Sequence, residues 1–263
     1  MSLPCAVVYV TGASRGLGIA IMGKLLENGV GVLTLQRTCT PQLRSLEELY
    51  QNMLINVTGS VTKALDNKVA VSKAIERFGH LDAAVLNAGI AVMGTLATVE
   101  LSEWRTQFEV NVFGMVARVV AALPALRESK LPGGGRLVLM SSLVSTVAPE
   151  GLAAYSASKA AVDSLARSLK NEEPSITAVS IHPGMVATDM VREFVQNGKE
   201  NIPAAMYNWF DAGMNAERSG ATDTDASVPP EVPAKTIAWL AFNAPQELNG
   251  RFVCSYDEEV AEL

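Results

Sequence analysis

The chain has 263 residues, 49% of them hydrophobic and 18% charged, enough apolar content for a full core and too much for a disordered chain. A net charge of -6 and a pI near 5.1 argue against non-specific binding to nucleic acid or anionic membranes. No uninterrupted apolar run reaches ~18 residues, so no membrane span is expected.

The first apolar run, Ala6-Val7-Val8-Tyr9-Val10, reads as a buried strand. It leads into Thr11-Gly12-Ala13-Ser14-Arg15-Gly16-Leu17-Gly18, and an amphipathic helix from Ile19 to Glu27 follows, stopping near Asn28-Gly29. Strand, glycine-rich turn and helix make a cradle for a dinucleotide phosphate. The glycines let the backbone approach the pyrophosphate, whose charge faces the amide-rich helix N-terminus. The spacing is GxxxGxG rather than the GxGxxG fingerprint.

The second strand, 30–35, ends at Gln36-Arg37-Thr38. An NAD enzyme of this architecture places a carboxylate there, ~20 residues past the glycine turn, to accept the ribose 2′-hydroxyl. Gln36 stands in its place and Arg37 follows, so a 2′-phosphate meets a guanidinium instead of a repelling carboxylate. Arg15 in the glycine turn can close on the same phosphate, and NADP(H) is the expected cofactor.

Further strands fall at 53–57, 82–87, 135–141, 176–182 and 251–255, with helical stretches between them. This alternation predicts an α/β Rossmann fold of three layers. Its doubly wound, seven-stranded parallel sheet carries helices on both faces, in one domain over 1–263. The longest helix runs from Ser102 to about Glu128, and Pro124 is expected to kink it or end it early.

Tyr155 and Lys159 lie i and i+4 on an Ala-rich helical stretch, so both point from one face. A phenol of pKa ~10 is a poor acid near neutrality. A lysine cation beside it is expected to pull that value down. Ser142, thirteen residues upstream of the tyrosine, supplies a hydroxyl to hold a substrate oxygen as charge develops on it.

Taken with these segments, the chain resembles the short-chain dehydrogenase/reductase family in its single-domain branch. TGASRGLG is similar to the family's TGxxxGxG turn, and Leu86-Asn87-Ala88-Gly89 to its NNAG strand end with Leu86 replacing the first Asn. Asn111 falls where the family keeps its catalytic asparagine, so Asn111, Ser142, Tyr155 and Lys159 match its tetrad. His182-Pro183-Gly184-Met185-Val186-Ala187-Thr188 matches the segment that contacts the nicotinamide. The resemblance implies cofactor contacts at Gly12, Ser14, Arg15, Gly16, Leu17, Gly18, Gln36 and Arg37, at Asn87, Ala88 and Gly89, at Tyr155 and Lys159, and at Pro183, Gly184, Val186 and Thr188. The family's adenine-reading acidic residue is replaced by Ser60, beside the backbone of Val61.

More locally, Glu172-Glu173-Pro174-Ser175, Pro230-Glu231-Val232-Pro233-Ala234 and Leu248-Asn249-Gly250-Arg251-Phe252 are similar to fungal sepiapterin/benzil-reductase-like carbonyl reductases. The implied reaction is reduction of a ketone by NADPH: an aryl ketone, a diketone or a pteridine-like side-chain ketone. Tyr155 protonates the nascent alkoxide, Ser142 fixes the oxygen, and Lys159 depresses the tyrosine and holds the nicotinamide ribose. Asn111 holds a water leading from Lys159 towards solvent. A lyase, isomerase or cyclase on the same scaffold, or a non-catalytic NADP-binding regulator, are the competing readings.

The stretch 189–230 breaks the alternation, and its Met190, Phe194, Met206, Tyr207, Trp209 and Phe210 suit a substrate lid. Cys5, Cys39 and Cys254 have no metal or redox spacing, and His80 and His182 stand apart, so no metal is expected. The Met1-Ser2-Leu3-Pro4 start lacks the charged and apolar regions of a signal peptide, which with the scattered thiols points to the cytoplasm. Broad apolar content on the 102–128 helix, and small residues on the helix bearing Tyr155, point to a homodimer or homotetramer, as the resemblance also implies.

Overall fold

The computed structural model describes residues 4–197, 202–219 and 227–261. Seven strands form one parallel sheet: β1 (Val7–Thr11), β2 (Gly31–Gln36), β3 (Leu54–Thr58), β4 (Ala83–Leu86), β5 (Gly135–Met140), β6 (Ile176–His182) and β7 (Phe252–Cys254). Their order is β3-β2-β1-β4-β5-β6-β7. The order reverses between β1 and β4, and the crevice beyond the carboxyl ends of those strands is where such sheets bind ligands.

Helices α1 (Gly16–Glu27), α2 (Pro41–Leu49) and α3 (Ala64–Phe78) connect the first four strands. After β4, α4 (Leu101–Phe108) passes through a π-helical turn, Glu109–Phe113, into α5 (Gly114–Leu126). A single turn α6 (Val144–Val147) precedes the long α7 (Ala153–Glu172), and α8 (Asp189–Asn197), α9 (Ala204–Ser219) and α10 (Glu231–Asn243) follow β6.

Strand alternation builds two cores from one sheet. Val8 and Val10 face the layer of α1 and α10, whereas Val7 and Tyr9 face that of α3, α5 and α7. All five residues of β1 are buried because both faces are covered. Local signals set the boundaries. Thr40 accepts the Leu43 N–H and Pro41 opens α2, while Gly79, at φ 86, ends α3. The helix expected from Ile19 starts three residues earlier, at Gly16, because the last two glycines of the turn already form its first turn.

Pro124 does not break its helix, which runs on to Leu126; the proline sits at an exposed position in the last turns. The irregularity comes instead at Glu109–Phe113, around Asn111. Among the described residues, Leu101–Leu126 alone resembles a bilayer-crossing helix by length and hydropathy. Its buried polar side chains, Gln107, Asn111 and Arg118, are all hydrogen-bonded into the fold, which marks it as a core helix.

Candidate active site

A cavity of about 1400 Å³ opens at the carboxyl ends of the strands, from the glycine turn at one end to α9 at the other. The glycine turn forms its floor. Gly12 holds φ at 67°, and a Cβ there would come within 3.0 Å of the Ala88 Cα. At Gly18 a Cβ would lie 2.2 Å from the Gly12 carbonyl oxygen, so no side chain fits. Asn87 Nδ2 donates to the Thr11 and Gly12 carbonyls at 3.1 and 3.3 Å, and the Ala88 N–H donates to Thr11 Oγ1 at 3.1 Å. The end of β4 is thereby locked to the turn after β1. The bare backbone and free helix start suit a pyrophosphate.

At the β2 end, Arg37 is exposed on the cavity rim and has no ion-pair partner among the described residues. Gln36 also reaches the cavity, but its carboxamide is engaged: Oε1 accepts from Thr34 Oγ1 at 2.6 Å and Nε2 donates to Asn56 Oδ1. Arg15 also lines the cavity, with Asp189 at 3.5 Å and Glu193 at 4.0 Å on α8. Ser60 and Val61 line the wall; the Ser60 N–H donates to Asp66 Oδ2 at 2.8 Å and its hydroxyl pairs with Thr62 Oγ1. Pro183, Gly184, Val186 and Thr188 close the opposite side.

The chemistry sits between these walls. β5 delivers Ser142 one residue past Ser141, and the α6 turn and Ala148, at φ 42, return the chain to α7 and Tyr155. Ser142, Tyr155 and Lys159 all line the cavity. One helical turn on, Lys159 is buried, with Nζ 5.5 Å from the centroid of the Tyr155 ring and donating to the Met140 carbonyl at 2.7 Å.

These groups titrate in directions that burial dictates. Burial pushes the Tyr155 phenol up to about 12, with the nearby Ser142 hydroxyl acting against it. Burial also pulls Lys159 down to about 7; Arg118 lowers it further and Asp163 opposes both. The expected depression of Tyr155 by Lys159 is thus reversed, because the ammonium is spent on a carbonyl and the phenol pays for its own desolvation. A phenol that keeps its proton is the form required of an acid.

Asn111 lies behind the cavity wall rather than on it. Its Oδ1 accepts the Ile90 N–H at 2.9 Å, and its Nδ2 donates to Ile90 O at 2.9 Å and Ser158 Oγ at 3.1 Å. Ser158 Oγ in turn donates to the Tyr155 carbonyl at 2.7 Å. Asn111 therefore joins the backbone following Gly89 to α7, and π-helical turns of this kind recur at functional sites.

Sequence reading missed Gln107 and Ser158. Gln107 is fully buried one turn before Asn111, donating to Ile90 O at 2.7 Å and accepting the Val92 N–H at 2.7 Å. Two carboxamides at i and i+4 on an otherwise apolar face were the signal. It also missed the edge-on pair of His182 and Tyr256, ring centroids 6.0 Å apart, beside Pro183 and Gly184 on the cavity wall.

The far end is apolar and aromatic. Met206, Trp209 and Phe210 of α9 face Leu143, Val144 and Val147 across the cavity. Phe194 stacks obliquely on Phe210, centroids 5.3 Å apart, and Trp209 meets Phe210 edge-on at 5.0 Å. Met190 joins this wall, whereas Tyr207 does not line it. The 198–201 and 220–226 parts of the expected lid lie outside the described residues.

A model of the short chain dehydrogenase family matches residues 6–199. An uncharacterized oxidoreductase of Schizosaccharomyces pombe is 34% identical over 249 residues, covering 94% of this chain and 95% of its own. A benzil reductase ((S)-benzoin forming) of Saccharomyces cerevisiae is 28% identical, with 98% of each chain covered. A solved short chain dehydrogenase/reductase from Saccharomyces cerevisiae superposes with a TM-score of 0.89 at 28% identity, over 98% of each chain. The KRED1-Pglu enzyme superposes with a TM-score of 0.86 at 32% identity, over 94% of this chain and all of that one. Fold, glycine cradle and Ser-Tyr-Lys geometry agree with the match: the chain is an oxidoreductase of the short chain dehydrogenase family, whose members use a nicotinamide cofactor.

Proposed function

We propose that the protein is an NADPH-dependent carbonyl reductase that converts a ketone bearing an aryl or comparably bulky apolar group into a secondary alcohol. The observation that carries this reading is one cavity that holds Ser142, Tyr155 and Lys159 together with the glycine cradle. The similarity to a benzil reductase supports a diketone or aryl ketone as substrate. Bound NADPH supplies the hydride.

The protein's residues handle the oxygen. Ser142 orients the carbonyl oxygen, and Tyr155 delivers its proton to that oxygen as it becomes an alkoxide. Lys159, while protonated, stabilises the phenolate left behind. Asn111 and Ser158 keep α7 in register with the backbone after Gly89. The aromatic wall of α8 and α9 covers the flat end of the substrate as a lid, and exposed Arg37 takes the 2′-phosphate.

The test is NADPH consumption with benzil, simple aryl ketones and pteridine ketones, each repeated with NADH. The reading requires turnover with at least one of them and preference for NADPH. Binding of NADPH without oxidation on any ketone would reject it in favour of a non-redox role.

A further inference from the structure

Arg118 heads the fully buried side chains in size, and no carboxylate among the described residues pairs with it. Burial pulls it down only to about 10, so it is a cation at neutral pH. A guanidinium carries five N–H groups in a planar fork. Here Nε donates to Gly114 O at 2.9 Å, Nη1 to Thr11 Oγ1 and Ala88 O at 3.0 Å each, and Nη2 to Val110 O at 3.3 Å.

The acceptors belong to three separate segments. Thr11 ends β1 at the glycine turn, Ala88 lies in the Asn87–Gly89 segment after β4, and Val110 and Gly114 bracket Asn111. Thr11 Oγ1 accepts from the Ala88 N–H as well, so hydroxyl, peptide and guanidinium form one closed junction. The backbone held there runs directly to the chemistry: a Cβ on Gly89 would lie 3.2 Å from Asn111 Oδ1 and 3.7 Å from Lys159 Nζ. An apolar side chain of similar volume would fill this space without desolvating a charge. Packing does not ask for arginine here; joining three segments does.

Given the carbonyl-reductase function proposed for the site, we infer that Arg118 is a positioning residue, whose fork sets the Asn111 turn against Ala88 and Thr11. The ionisable groups around Arg118 and Lys159 are few. Tyr9 of β1 faces Arg118 and donates its hydroxyl to Asn67, while Tyr155 and Asp163 flank Lys159 on α7. Arg118 favours the neutral form of Lys159, so removing its charge raises the pH at which that lysine loses its proton.

Arg118→Lys and Arg118→Met separate geometry from charge. Each is assayed for melting temperature, NADPH affinity by fluorescence titration, and kcat and KM for ketone reduction across pH. Arg118→Lys keeps the cation and loses the fork. It is expected to lower kcat and weaken NADPH by about tenfold or more, the scale of a lost charge-assisted hydrogen bond, with the alkaline limb of kcat unmoved. Arg118→Met is expected to show the same loss with that limb displaced to higher pH. Either folded variant within about twofold of wild type in kcat and NADPH affinity, on the same pH profile, overturns the inference. So does failure of both to fold, which would make Arg118 a folding element only. If wild type reduces no ketone, the reductase function fails by itself, and the NADPH affinities of the variants still decide the role of Arg118.

Discussion

Lys159 Nζ stands 5.5 Å from the centre of the Tyr155 ring yet hydrogen-bonds the Met140 carbonyl at 2.7 Å. The lysine is close enough to stabilise a phenolate once it forms and is not bonded so as to create one beforehand. Tyr155 therefore waits as an acid. Tyr155→Phe keeps the ring and removes only the proton, so kcat for ketone reduction should fall by ~10²–10⁴-fold. NADPH affinity should stay within about twofold, because the glycine cradle is untouched. A variant retaining most of wild-type kcat would show that the proton comes from elsewhere.

His182 gives the fold an acid weakness. Burial pulls its imidazole down to about 4, against a weaker upward pull from Asp257, and its Nδ1 has no partner in the fold. Between the ordinary value of 6.5 and about 4, the unfolded chain binds a proton that the folded chain refuses. Stability from this group is thus complete above the ordinary value and declines as pH falls towards 4, by at most ~3 kcal/mol. Melting temperatures recorded from about pH 7 to about pH 4 should drop more steeply for wild type than for His182→Asn. Parallel curves would remove His182 from the account.

Much of the fold was legible because both signals behind it are local. Apolar runs such as Val7–Thr11 mark strands buried on both faces, and Gly12, Gly16 and Gly18 mark the turn where a backbone must come close. Tyr155 and Lys159 were legible as an i, i+4 pair. What stayed hidden depends on contacts between distant segments. Arg118 looks like a surface residue of an apolar helix until β1 and β4 are folded against it. The carboxylates of Asp189 and Glu193 beside Arg15 come from α8, far along the chain, and could not be read from the glycine turn alone. Pro124 marks only the approach of the helix end, two residues on at Leu126, whereas the π turn at Asn111 is held by tertiary hydrogen bonds.

The proposed preference for NADPH rests on Arg37 more than on Arg15. Arg37 is exposed at the cavity rim without an ion pair among the described residues, while Arg15 already faces two carboxylates. Arg37→Asp should weaken NADPH by about ten- to a hundredfold, the scale of one charge-assisted contact, and narrow or reverse the preference over NADH. Arg15→Ala should cost less, since it removes a shared guanidinium. Equal kcat/KM for the two cofactors in wild type would overturn this assignment.

The outer face of α5 makes the last prediction. Of the apolar residues that suggested an interface, Met115 and Val119 face the protein's own core, and Ala154 on α7 is buried as well. Val116 and Val120 remain at 38% and 54% exposed, and Phe113 of the π turn at 60%. Beside them α7 offers the exposed small residues Ala157, Ala160 and Ser164, over which a second helix pair can lie closely. A two-fold axis here would bury these residues against their own copies, the self-complementary arrangement of most homodimers. Phe113 lies two residues from Asn111, so the same contact would brace the turn that aligns the catalytic helix. We therefore expect a two-fold homo-oligomer, with light scattering at micromolar concentration giving at least twice the 27.9 kDa chain mass. Val120→Glu places a charge at the centre of that face and should yield monomers that remain folded, with reduced kcat if the brace matters. A wild-type mass of one chain would refute the assembly, and an unchanged mass for Val120→Glu would move the interface to another surface.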